Sequence, residues 1–87
     1  GEALTYRVEL DSRAARALAA LPKNAVARIS EAISALAEEP RPPGARKLTA
    51  RGGHRIRVGD YRVLYELEDR ERRVRIYAVG HRKEIYR

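Results

Sequence analysis

The stretch Gly53 to Tyr65, reading G-H-R-I-R-V-G-D-Y-R-V-L-Y, carries arginines at positions 55, 57 and 62. Apolar residues alternate with them at a spacing of two, the pattern of strands with one buried face. Gly59-Asp60 suits a two-residue hairpin loop, because Gly accepts the positive φ that such loops need. A loop of that length sets Val58 opposite Tyr61, Arg57 opposite Arg62, Ile56 opposite Val63 and Arg55 opposite Leu64. Ile56, Val58, Tyr61, Val63 and Tyr65 then share one face, and Arg55, Arg57 and Arg62 share the other. Directly opposed arginines repel and lower stability. Their grouping points to an anionic ligand between them; the alternative is a solvated polar face.

The distribution of charge agrees with an anionic ligand. The 87 residues carry a formal net charge of +7. Residues 1–40 have a net charge of −1 and residues 41–87 a net charge of +8. Positive charge clustered in this way is the electrostatic footprint of a nucleic-acid binder, or of a basic face that meets an acidic protein. Sixteen of the 19 basic residues are Arg, which favours two-pronged phosphate recognition, although Arg-rich codon usage gives the same bias.

Other chemistries lack their residues. There is no Cys, so no disulfide, thiolate nucleophile or Cys-based metal site is available. The two histidines, His54 and His81, and the absence of a carboxylate cluster at ligand spacing argue against a metal; no cofactor is expected. No Gly-rich phosphate loop or Ser-centred acyl-transfer motif is present. No apolar run approaches the ~20 residues needed to span a bilayer, and no signal-peptide pattern opens the chain. A cytoplasmic protein that does not bind membranes is expected.

The elements that hold the hairpin follow from periodicity. Leu4 to Leu10 alternates and reads as a first strand, with Asp11 and Ser12 as helix caps behind it. Arg13 to Leu21 reads as a first helix, ended by Pro22. Val26, Ile29, Ile33 and Leu36 form one stripe of a second helix over 24–39. The short link between the helices predicts a helical hairpin. Pro40-Arg41-Pro42-Pro43-Gly44 is a stiff connector, followed by Lys47 and by Leu48 as an anchor. Strands of 54–58 and 61–68 form the hairpin, and Arg73 to Val79 reads as a last strand broken by Gly80. On that strand Val74, Ile76 and Ala78 are expected on one face, with Arg73, Arg75, Tyr77 and Val79 on the other. The sum is a single α+β domain over 1–87 in the order β-α-α-β-β-β. It has two layers: an antiparallel sheet with the helical hairpin packed on one face.

This order, the segment Leu48…Arg55-Ile56-Arg57-Val58-Gly59-Asp60-Tyr61-Arg62-Val63-Leu64-Tyr65, and the ending Val79-Gly80-His81-Arg82-Lys83-Glu84-Ile85-Tyr86 resemble the RelE/ParE superfamily of bacterial and archaeal toxins. The resemblance covers essentially the whole chain. It implies a type II toxin held inactive by a cognate acidic antitoxin. RelE-like members cut mRNA in the ribosomal A site without a metal; ParE-like members act on DNA gyrase. The RelE branch carries basic residues on the second strand, an Arg on the third, an Arg after the last and a Tyr near the C-terminus. Those positions correspond to Arg55 and Arg57, Arg62, Arg82 and Tyr86, which favours a RelE-like endoribonuclease. By this resemblance Arg57, Arg62, Arg82 and Tyr86 are the catalytic candidates and Arg55 contacts the RNA backbone nearby; Lys47, by its place in the basic half, and His54 and His81, by their imidazole chemistry, are added as RNA-binding candidates. Tyr86 would stack on a base or donate a proton, and His81 or His54 would serve as acid or base. The best-known relative has Lys at both second-strand positions. Arg keeps its proton, so neither Arg55 nor Arg57 is assigned as general base. The alternatives are a ParE-like gyrase inhibitor and a non-catalytic RNA-binding module.

Overall fold

The computed structural model describes residues 5–50 and 52–85. Strand β1 (Arg7–Leu10) leads into helix α1 (Ser12–Ala19), whose first turn is capped by Asp11 accepting a hydrogen bond from Ala14 N at 2.8 Å. That bond satisfies one of the donors every helix start leaves open. Helix α2 (Lys23–Ala35) follows Pro22. It ends four residues short of the predicted Glu39. Leu36, Ala37 and Glu38 instead donate to carbonyls three residues back, at 3.1, 3.1 and 3.2 Å. Such a tightened last turn is a common helix ending. Four strands then follow: β2 (Arg46–Lys47), β3 (His54–Val58), β4 (Tyr61–Glu68) and β5 (Arg73–His81).

The five strands form one sheet in the order β1-β5-β4-β3-β2. Between β3 and β4 the register is the one the Gly59-Asp60 loop dictates: Val58 opposite Tyr61, Arg57 opposite Arg62, Ile56 opposite Val63 and Arg55 opposite Leu64. Helix α1 lies over β5 and β1, and α2 over β3 and β4. Ala14, Ala25, Ile29, Ile33 and Leu36 from the helical layer meet Ile56, Val63, Tyr65, Val74, Ile76 and Val79 from the sheet in one core. Helices and sheet thus form the two layers that the apolar stripes require.

Four details differ from the sequence expectation. The sheet is mixed, because β1 pairs in parallel with β5. The meander β3-β4-β5 leaves the outer edge of β5 unpaired, and β1 satisfies those backbone groups. Arg46-Lys47 forms a short strand on β3, closed by Leu48 N donating to Gly53 O at 2.8 Å. On β5 the expected faces are wrong past Ile76. Tyr65 pairs with Ile76 but Leu64 with Ala78, so Tyr77 is an extra residue in a bulge. One inserted residue reverses the side-chain parity, so Val79, not Ala78, joins Val74 and Ile76 in the core. Gly80 does not break the strand; it lies within β5, opposite Arg62.

Candidate functional site

The face of the sheet turned away from the helices carries Arg55, Arg57 and Arg62. Arg57 and Arg62 are cross-strand partners. Arg57 is exposed, and Arg62 bends back so that Nη1 donates to Gly59 O at 3.1 Å and to Tyr61 O at 3.0 Å. Arg55 is buried, and its Nε makes no hydrogen bond. Arg46, paired with Arg55 through β2, falls in the same row. Sequence reasoning missed Arg46. The pair Gly52-Gly53 after Arg46-Lys47-Leu48 was a turn signal that could have revealed a strand there. Arg82 reaches the site from beyond β5. Its backbone N donates to Asp60 O at 2.8 Å, and its Nε lies 3.6 Å from Asp60 Oδ1. Among the described residues, Tyr77 is the aromatic one that the bulge turns to this face. Its hydroxyl donates to Gly52 O at 3.1 Å, and because Gly52 precedes β3 the side chain must lie across β4.

The remaining candidates do not join this row. His54 alternates with Arg55 and turns to the helix side, where its ring stacks on Tyr65 at 5.7 Å. Burial, with Arg41 and Lys47 adding to it, holds its pKa below the ordinary 6.5, against a smaller opposing effect of Asp69. Lys47 pairs with His54 and is exposed. His81 lies opposite Tyr61, meets that ring edge-on at 5.8 Å, and accepts a hydrogen bond from Lys83 N on Nδ1 at 3.1 Å. His54, Lys47 and His81 are therefore set apart from the opposed arginines. Tyr86 lies outside the described residues.

A second cluster ties the connector to the sheet. Arg41 grips both oxygens of Asp69, at 3.1 and 2.9 Å, and the Tyr6 hydroxyl donates to the same carboxylate at 2.5 Å. Arg41 first, then Tyr6, lowers the Asp69 carboxyl to about 2. Tyr65 donates to Pro40 O at 2.8 Å, and burial pushes its phenol up to about 12.

On the open face, cation outweighs anion. Glu66 is held by Arg75 at 2.6 Å. Arg46, Arg55 and Arg57 form no ion pair with any described carboxylate. Unneutralised guanidinium groups held on a rigid sheet suit the non-bridging oxygens of a phosphate. Among the described residues no group of three His, Asp or Glu is placed to hold a metal ion. No helix among the described residues is long and apolar enough to cross a membrane.

Residues 6–86 match the family model of the ParE toxin of type II toxin-antitoxin systems. The chain belongs to the RelE/ParE superfamily of toxins. The toxin is 30% identical to a chain of the archaeal RelE-RelB complex from Pyrococcus horikoshii, over 92% of its own length and 98% of that chain, with a TM-score of 0.78. It is 31% identical to a chain of the RelBE2 toxin-antitoxin complex from Mycobacterium tuberculosis, over 95% and 98%, with a TM-score of 0.80. The isolated RelE toxin of E. coli matches at 20% identity over 87% and 83%, with a TM-score of 0.76, which speaks for the fold alone. No curated protein matches significantly.

Proposed function

We propose that this toxin is a RelE-like endoribonuclease that cuts mRNA in the ribosomal A site, without a metal, in the cytoplasm. The observation that carries the reading is the opposed pair Arg57 and Arg62 on the face the helices leave bare, with Arg82 brought to the same hairpin. In the proposed reaction the 2′-oxygen of one nucleotide attacks the adjacent phosphorus. A 2′-O–P bond forms, the P–O5′ bond breaks, the 2′-proton leaves to an acceptor, and the departing 5′-oxygen takes up a proton. The products are a 2′,3′-cyclic phosphate and a 5′-hydroxyl. Arg57, Arg62 and Arg82 would bind the non-bridging oxygens and stabilise the charge that builds up on them. Arg55 and Arg46 would add positive potential beside them. Tyr86 remains the candidate for stacking or proton donation.

We further propose an acidic antitoxin as the toxin's partner. A half of the chain with a net charge of +8 favours an acidic segment, and the relatives from P. horikoshii and M. tuberculosis are known as complexes with antitoxins.

A second reading, inhibition of DNA gyrase, is favoured by the ParE description of the matching family. Two assays on the purified toxin separate them. Incubating mRNA with the toxin in a translating system, and in the same buffer lacking ribosomes, should give cuts only when ribosomes are present, while plasmid supercoiling by gyrase proceeds unchanged. Blocked supercoiling with intact mRNA would replace the first reading with the second.

A further inference from the structure

The tip of the β3–β4 hairpin gathers arginines from three elements. Arg62, on β4, donates to Gly59 O at 3.1 Å. Arg82, past β5, is bonded through its backbone to Asp60 O, with its Nε 3.6 Å from the Asp60 carboxylate. The third comes from the helical layer. Arg28 is exposed on α2, outside the buried stripe of Ala25, Ile29 and Ile33, and its guanidinium lies against Gly59. A methyl group at Gly59 would stand 3.0 Å from Nη2 and 3.3 Å from Nη1 of Arg28. The turn has a second reason to be glycine, since its φ is +60°.

Three guanidinium groups thus surround a two-residue turn that holds one carboxylate. Asp60 is engaged by Arg82, and the Arg28 side chain forms no hydrogen bond or ion pair among the described residues. Like charges brought this close repel, and a bound anion would offset that repulsion. Arg62 belongs both to this tip and to the open-face row, so the positive surface runs from the Arg57–Arg62 pair around the end of the hairpin onto α2. A continuous run of guanidinium groups matches a chain of phosphates better than it matches a single small anion.

We infer that the hairpin tip is a second phosphodiester-binding site, where Arg28 holds the backbone of a single-stranded RNA that continues past the open face. Arg28 has a binding role there and none in bond cleavage. The inference rests on reading the open face as an RNA site, but its test needs no cleavage. Binding of a labelled 12-residue oligouridylate is measured across a range of NaCl concentrations for the wild type, Arg28→Ala, Arg28→Lys and the control Arg13→Ala, an exposed residue of α1. Loss of one phosphate contact should reduce the slope of log affinity against log salt by about 0.7 for a single strand. Arg28→Lys, which keeps the charge, should retain most of the slope.

A change in slope for Arg28→Ala no larger than that of Arg13→Ala would overturn the tip site. So would a wild type that does not bind the oligonucleotide, which would leave an acidic protein as the occupant. A reduced slope in a toxin that never cuts mRNA would sustain the tip site and remove the nuclease reading.

Discussion

Arg57 and Arg62 face each other across β3 and β4, an arrangement that works against the fold and for an anion. Relieving the repulsion should stabilise the protein by up to about 1 kcal/mol. Arg57→Ala is therefore expected to melt at the same or a slightly higher temperature than the wild type while losing function. A markedly lower melting temperature would show that Arg57 is structural. His54 gives a pH-dependent counterpart. Its folded pKa is lowered from 6.5 by burial, Arg41 and Lys47, so below 6.5 the unfolded chain binds more protons than the folded one. Its contribution is intact above pH 6.5 and declines as pH falls toward the folded value. Urea midpoints at pH 7.5, 6.5 and 5.5 should fall for the wild type, and His54→Gln should flatten that interval. The strand alternation already contained the side of the sheet His54 faces, since it shares parity with Ile56. Its stacking on Tyr65 follows from the same register, which sets the two residues opposite each other across β3 and β4.

At the scale of elements, the hairpin was legible because a two-residue loop and strict alternation leave one register. The bulge at Tyr77 was not: nothing in Arg73 to Val79 marks where an extra residue enters, and the parity of Val79 changes with it. Parallel pairing of β1 was equally hidden, since a strand's local pattern does not record its neighbour's direction. Entry into β3 depends on Gly53, which has a φ of +83° and no room for a side chain against the Tyr65 carbonyl. Gly53→Ala should cost about 1 to 3 kcal/mol from backbone strain alone, seen as a lower denaturation midpoint. Tyr65→Phe removes the bond to Pro40 O and should cost about 1 kcal/mol. An unchanged midpoint in Tyr65→Phe would mean that the connector is not held by that bond.

For the whole molecule, the helical layer seals one side of the sheet and leaves the basic side open. Composition alone indicated which half is basic; the fold decides which of those charges collect. Arg55, Arg57 and Arg62 share a row, Arg46 extends it, and Arg82 arrives through the turn at Asp60. Lys47, His54 and His81 belong to the same basic half and lie elsewhere, because strand parity and the strand end set them apart. The open face thus holds charge to stabilise a phosphate and no described histidine to accept a proton. The central claim is that this row performs ribosome-dependent cleavage. It is tested most directly by mapping mRNA ends after in vitro translation with wild-type toxin, Arg57→Ala and Arg62→Ala, at equal folded concentration. The wild type should cut mRNA only on ribosomes and leave 2′,3′-cyclic phosphate ends, and each variant should cut at least about 100-fold more slowly. Cleavage at the wild-type rate by either variant would contradict the claim.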